Sequence, residues 1–312
     1  MDVERGIPCI DFSRDPTDLV EGSDGWKNLC DQVREACENY GCFQVVYDQV
    51  PVKLHEELLV GLKELFDLPD ETKEKNVSSK PYHGYIGKAK EVPLYESLGV
   101  HNAPNLDQVE AFTNLMWPNG NPAFCQTLNS MAKRIQELEG IVRKMILQNL
   151  GVKNYYDSHI ENSDSVFRVM KYKAPRSDDS AVGLLAHVDK NILTILYQDI
   201  QGLELLSKEG QWFRVLPKAG TLTVFAGEAL MAWSNGRIHA AKHRVIMQGR
   251  KDRYSYAFFS TPKGGAVVEI PKELVDNEHP LLFRPFNYLD FLRYFQANLH
   301  LDNPLEIYAG AV

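Results

Sequence analysis

Two histidines and one aspartate carry the first chemical signal in this chain. His187 and Asp189 form His-Val-Asp inside the β-prone run Leu184-Leu-Ala-His-Val-Asp-Lys190. Side chains two apart on a strand leave the same face. This spacing therefore offers an imidazole and a carboxylate to adjacent positions on one metal ion. A third ligand must come from a distant segment, and His243 supplies it 54 residues after Asp189, in Ala-Lys-His-Arg-Val. Two imidazoles and a carboxylate on one side of an ion leave the opposite positions open. His-x-Asp alone is a weak signal in a chain with nine histidines. His239, four residues before His243, competes for the third position.

The segment after His243 sharpens the signal. Ten residues on stands Arg253-Tyr-Ser255, again an i, i+2 pair on a β-run. A buried guanidinium beside a hydroxyl suits a carboxylate through charge-assisted, bidentate bonds. Tyr172, fifteen residues before His187, can offer a phenol to the same carboxylate. A two-His, one-carboxylate set is the facial triad of non-haem Fe(II) oxygenases. Joined to a carboxylate clamp, it implies a dicarboxylate that chelates the metal at one end, and 2-oxoglutarate is the expectation.

The elements that must hold these residues change in texture along the chain. Ile7–Phe12 reads as a strand and Cys42–Tyr47 as a β-run, while 26–39 and 54–66 carry apolar residues at helical spacing. Residues 76–105 hold Gly, Pro, Tyr and His without a sustained period. That predicts a long irregular segment of the kind that carries function. In it Tyr82, Tyr85 and Tyr95 are expected to line a lid over the substrate. A long helix is expected over about 122–150, closed by Gly151. From about residue 163, β-prone runs recur at 165–173, 184–197, 203–206, 211–216, 221–226, 229–234, 242–247 and 254–261. Short strands at that spacing predict a jelly-roll type of sandwich, and helix returns at 286–299. The expected organisation is a helical and mixed region over 1–162, a catalytic core over 163–265 and a helical extension over 266–312.

Composition narrows the function classes. The 312 residues are 44% hydrophobic and 24% charged, as in globular chains. A net charge of −8 argues against a general nucleic-acid binder, which needs a basic face. No run of 18 apolar residues occurs, so no membrane-spanning helix is expected, and the acidic start lacks a secretory apolar segment. The five cysteines are odd in number and form no Cys-x-x-Cys pair. Free, buried thiols and a cytoplasmic location are the expectation.

The pattern His187-x-Asp189…His243-Arg244-Val245…Arg253-x-Ser255, with Trp233-Ser-Asn-Gly-Arg237 before the second histidine, resembles that of the plant 2-oxoglutarate- and Fe(II)-dependent dioxygenases. The likeness runs from Ile7-Pro-Cys-Ile-Asp-Phe12 to the Pro280–Pro285 stretch. It favours His243 over His239. It implies a mainly β fold with flanking helices, a distorted double-stranded β-helix (jelly roll) wrapped by N- and C-terminal helices. It also implies Fe(II) on His187, Asp189 and His243, and 2-oxoglutarate on Arg253, Ser255 and Tyr172. O₂ is the co-substrate and ascorbate is expected to stimulate. The partner is a small molecule, and the chain is expected to be monomeric. Phe259 occupies a position that lines the substrate pocket in relatives, and Tyr82, Tyr85 and Arg168 are further substrate candidates.

Tyr40-Gly-Cys-Phe43, Phe112–Pro118, Val169–Tyr172, Phe259–Gly265 and Glu273–Asp276 narrow the resemblance. They are similar to the group that holds the alkenyl- and hydroxyalkyl-producing glucosinolate dioxygenases, deoxypodophyllotoxin synthase and some steroidal-alkaloid hydroxylases. One departure stands out: relatives carry Asn-x-Tyr where this chain has Met170-Lys-Tyr172. The Asn role therefore does not transfer. The implied reaction oxidises an aliphatic C–H of a plant specialised metabolite, with hydroxylation the default and desaturation, ring closure or O-demethylation the other fates. Asp189 disfavours halogenation, since halogenating relatives lack that carboxylate. An inert binding scaffold or a zinc hydrolase is the competing class, and either leaves Arg253 and Ser255 without a task.

Overall fold

The computed structural model describes residues 6–87, 89–176 and 180–311. Strand β1 (Cys9–Asp11) leads to helix α1 (Asp24–Asn39), whose first turn is capped by the Ser23 hydroxyl accepting from the Trp26 N–H at 2.9 Å. Strand β2 (Cys42–Val46), α2 (Val52–Phe66) and the single turn α3 (Asp70–Lys73) come after it. Strand β3 covers Tyr95–His101, inside the segment expected to be irregular through 105. Its residues are buried on both faces, so no period-2 pattern marks it. Helix α4 (Leu106–Met116) precedes the long α5 (Pro122–Asn149), and α6 (Tyr156–Glu161) ends the N-terminal half.

Strands β4 (Ser163–Tyr172), β5 (Ala181–His187), β6 (Leu193–Gln198), β7 (Leu203–Leu206), β8 (Trp212–Arg214) and β9 (Thr221–Ala226) come next. The β-run expected over 184–197 is thus two strands with a turn between them, and that turn holds Asp189. The strand expected over 229–234 is helix α7 (Glu228–Trp233). A short, fully apolar run has no period by which strand and buried helix can be told apart. Strands β10 (His243–Met247), β11 (Arg253–Pro262), β12 (Val267–Val268) and β13 (Phe286–Asn287) lead to helices α8 (Tyr288–Ala297) and α9 (Pro304–Ala309).

Among the described residues, the large sheet has the order β1-β2-β9-β6-β11-β4-β3 and the smaller one β5-β10-β7-β8. Strands β1 to β3, from the first 162 residues, extend the large sheet on both sides of the core strands. Alternation gives that sheet two apolar faces. Phe167, Val169, Leu193, Ile195, Tyr256 and Phe258 pack outward on α1, α2 and α5. On α5, Ile135 and Leu138 are fully buried, and cutting either to alanine costs about 2–5 kcal/mol. The other face, with Met170, Tyr172, Ala257 and Phe259, meets Leu184, Val245 and Met247 of the small sheet. The two sheets form the jelly roll, and the space between them holds the residues picked out by the sequence. Cys30, Cys37, Cys42 and Cys125 are buried free thiols, whereas Cys9 is exposed. No helix among the described residues is long and apolar enough to cross a membrane.

Candidate active site

Antiparallel pairing of β5 with β10 sets His187 directly opposite His243. Their rings lie 4.3 Å apart at 55°. Asp189 reaches them from the turn after β5, not from the strand face the spacing predicts. Its Oδ1 stands 3.5 Å from His187 Nε2 and 3.8 Å from His243 Nε2. The three ligand atoms lie within 4.8 Å of one another, the one such group among the described residues. His239 lies in the coil before β10 and takes no part.

Backbone carbonyls orient both rings. His187 Nδ1 donates to Leu185 O at 2.8 Å and His243 Nδ1 to Ala241 O at 3.1 Å. A carbonyl only accepts, so the proton sits on Nδ1 and Nε2 presents a bare lone pair inward. Asp189 Oδ2 accepts from the Thr194 hydroxyl at 2.6 Å, which leaves Oδ1 turned to the histidines. Burial alone would raise the Asp189 carboxyl. The neighbouring His243 and His187 and the Thr194 hydrogen bond outweigh it and hold the group well below the usual carboxylate range. Burial, reinforced by His187, pushes His243 down to about 4 against the pull of Asp189. Near neutral pH the set therefore offers an ionised carboxylate and a neutral imidazole, the forms a metal requires. This donor set fits Fe(II), with three mutually close ligand atoms on one side.

The clamp sits across the same space. Register places Arg253 opposite Tyr172, and Ser255 opposite Met170. Arg253, Ser255 and Tyr172 are almost wholly buried. Arg253 Nε donates to Ile200 O at 3.2 Å, Nη2 to Gln198 Oε1 at 3.0 Å and Nη1 to Ser255 Oγ at 3.1 Å, while the guanidinium lies 4.8 Å over the Tyr172 ring. A guanidinium has five N–H donors, so these three bonds leave two. The nearby Asp199 accepts from the N–H groups of Ile200 and Tyr254 through Oδ1, and its charge acts on Arg253 from a distance. No carboxylate among the described residues forms an ion pair with Arg253. A buried cation in that condition is stabilised by an anionic ligand. Gly183 lets β5 pack closely against this group, since a Cβ there would come within 2.9 Å of Met247, 3.0 Å of the Tyr172 ring and 3.1 Å of Val245.

The four substrate candidates divide. Phe259 shares the inner face with Ala257. Tyr82 is 38% exposed at positive φ, and its ring lies 6.4 Å from Phe295 of α8. The Tyr85 hydroxyl donates to Glu96 at 2.9 Å, and Glu96 is paired with buried Lys73 at 2.5 Å. Arg168 faces inward but donates to the carbonyls of Tyr82 and Gly84 and to the Ser97 hydroxyl. Its guanidinium thus fastens the loop over the site with three of its five N–H donors. Neither a structural acid partner nor a free head group describes it. The loop so held carries Ile86, Ala89, Val92 and Leu94 onto Met170 and Phe259.

Type and spacing did not point to Thr194 and Gln198, the residues that orient Asp189 and Arg253. Both lie on the inner face of β6, and a signal existed: inward polar residues four apart in Leu193-Thr-Ile-Leu-Tyr-Gln198. Nor did they point to Lys190, whose ammonium bridges Val188 O at 2.9 Å and Glu228 Oε1 at 2.8 Å beside the metal-ligand turn.

Known proteins are similar to this chain in sequence and fold. The 2OG-Fe(II) oxygenase superfamily matches residues 152–262, and the family described as non-haem dioxygenase in morphine synthesis N-terminal matches residues 7–124. A probable 2-oxoglutarate-dependent dioxygenase of Arabidopsis thaliana, AOP1, is 42% identical over 299 residues, covering 93% of this chain and 91% of its own. The rice dioxygenase for auxin oxidation superposes with a TM-score of 0.82 at 31% identity, covering 98% of this chain and all of that one. JOX2, solved in complex with 2OG, Fe and JA, gives 0.76 at 25% identity over 93% of this chain and 84% of its own.

Proposed function

This chain belongs to the 2OG-Fe(II) oxygenase superfamily, and from that premise we propose that it hydroxylates an aliphatic C–H of a small plant specialised metabolite. It is a 2-oxoglutarate-dependent dioxygenase, with Fe(II) as metal and O₂ as co-substrate. The observation that carries the residue assignment is the pairing of a three-ligand cluster with a buried Arg253 that makes no direct ion pair among the described residues, across one inter-sheet space. When bound, Fe(II) supplies the chemistry by which O₂ and 2-oxoglutarate convert R–H to R–OH, with succinate and CO₂ released.

The protein's share is holding and excluding. His187, Asp189 and His243 are assigned to the metal. Arg253, Ser255 and Tyr172 are assigned to the far carboxylate of 2-oxoglutarate, where a fork and two hydroxyls fix its direction. Phe259 and the apolar loop residues form a wall that excludes water and presents the C–H, with Tyr82 at its rim. Arg168 and Tyr85 act one step back, by keeping that loop seated. Misplacement by about 1 Å can cost a hundredfold, so this seating matters as much as the ligands. The chain acts as a cytoplasmic monomer, stimulated by ascorbate.

The test is a screen of aliphatic plant metabolites with Fe(II), 2-oxoglutarate and ¹⁸O₂, following succinate and product mass. The expected product gains one labelled oxygen for each succinate formed. A product lighter by two hydrogens, or one that has lost a methyl group, would contradict hydroxylation.

A further inference from the structure

We infer that Lys190 is a positioning residue for the metal, pinning the irregular turn that carries Asp189 to helix α7 through Glu228. This rests on the assignment of Asp189 to the metal. Strand β5 ends at His187 and β6 begins at Leu193, so residues 188–192 lie outside both strands. The backbone that delivers the carboxylate must be held by other bonds. Asp189 O accepts from the Glu228 N–H at 2.7 Å, Asn191 O from Ala229 at 3.1 Å and Ile192 O from Gly227 at 3.0 Å. Gly227 permits this approach, since a Cβ there would fall 2.1 Å from Asn191 O. Val188 O accepts from Lys190 Nζ at 2.9 Å.

The same ammonium donates to Glu228 Oε1 at 2.8 Å. One cation thus ties the carbonyl before Asp189 to the residue whose N–H holds the carbonyl of Asp189 itself. The Lys190 and Glu228 side chains are 10% and 7% exposed. The Phe295 ring of α8 lies 4.4 Å from the ammonium and covers it. Fold stability is a poor account of such a pair, because apolar residues of similar volume often do as well. Glu228 Oε2 is moreover buried with no hydrogen-bond partner among the described residues, which adds a desolvation cost. What the pair supplies is a fixed contact beside a metal ligand, and partners of that kind orient ligands.

The charge of Lys190, taken alone, would act in the other direction. It reaches the metal ligands: burial and His187 lower His243 most, and Lys190 adds to them. A cation so placed repels a divalent metal ion. As a charge, Lys190 weakens metal binding; as a staple on the Asp189 turn, it strengthens it. The sign of the change on removing the ammonium separates the two.

Calorimetry of the metal-free protein with Mn(II) reads that sign, beside thermal unfolding of the metal-free forms. Lys190→Met should weaken Mn(II) binding about tenfold, the low end for residues that orient metal ligands. That variant strands the Glu228 carboxylate, so a second one combines Lys190→Met with Glu228→Gln and leaves no buried charge unpaired. It should weaken Mn(II) binding to a similar degree. Tighter binding by Lys190→Met, with the double variant within about twofold of the parent, would overturn the staple and leave a charge effect only. Mn(II) affinity within about twofold of the parent in both variants, with a lowered unfolding temperature or without one, would also overturn it and confine the pair to the fold. Asp189→Ala separates the two levels: if it too leaves Mn(II) binding unchanged, the ligand assignment itself falls.

Discussion

Replacing Thr194 by valine removes one hydroxyl and keeps the shape. The hydroxyl donates to Asp189 Oδ2 at 2.6 Å, inside a site where Thr194 is 3% exposed. A short, buried hydrogen bond to a charged acceptor is worth about 1.5–3 kcal/mol. Without it Asp189 can swing about its own side chain, and Oδ1 loses the orientation that faces both Nε2 atoms. Asn191, which donates to the Thr194 oxygen at 3.0 Å, keeps its 2.7 Å bond to Leu193 O and is not stranded. The loss therefore falls on the metal-binding geometry more than on the fold. Expressed as affinity, about 1.5–3 kcal/mol is roughly 10- to 100-fold, the range for residues that orient metal ligands. Anaerobic calorimetry of the metal-free protein with Mn(II) measures it, and Thr194→Ser should recover most of the affinity. A folded Thr194→Val that binds Mn(II) within about twofold of the parent would refute the view that this hydroxyl fixes the carboxylate.

Other contacts make equally definite demands. Arg253→Lys keeps the charge and loses the fork, so 2-oxoglutarate binding should weaken about tenfold or more while Mn(II) affinity stays put; equal binding would show that bidentate geometry is not used. Arg168→Met strips the carbonyls of Tyr82 and Gly84 of their donor, so amide exchange over 81–87 should quicken by about tenfold, and unchanged protection would mean the loop is seated by its apolar residues alone. His55 is stacked 4.4 Å from Tyr197, and burial lowers its pKa from 6.5 to about 4. Both folded and unfolded states are neutral there above about pH 6.5, and the unfolded state takes the proton first as pH falls, so stability drops by up to about 3 kcal/mol between pH 6.5 and 4. Denaturation of His55→Phe across that window should show a shallower acid slope, and a parallel slope would contradict the assignment.

The site was more legible than the scaffold around it, for a physical reason. Metal ligands and a guanidinium clamp demand particular residue types, so His187, Asp189, His243, Arg253 and Ser255 stand out as candidates from type and spacing. A shared strand face for His187 and Asp189 did not hold, because β5 ends at His187 and the turn delivers Asp189. The residues that orient a ligand are harder to find, since hydroxyls and amides are common. Thr194 and Gln198 become conspicuous only when β6 is known to face inward. Strand β3 escaped because both of its faces are covered, and α7 because the five apolar residues Ala229–Trp233 are too few to show a period. The role of Arg168 depends on a loop 86 residues away in sequence, a pairing that only the folded chain supplies.

The assignment of Fe(II) and 2-oxoglutarate to one inter-sheet space is tested most directly without oxygen. Fe(II) and then 2-oxoglutarate are added to the metal-free protein, with Asp189→Ala and Arg253→Ala alongside, and the visible metal-to-ligand charge-transfer band is recorded. The expected result is a band in the parent that is lost with Asp189→Ala and appears only at much higher 2-oxoglutarate with Arg253→Ala. A folded, iron-loaded parent that shows no band would contradict the assignment of both groups.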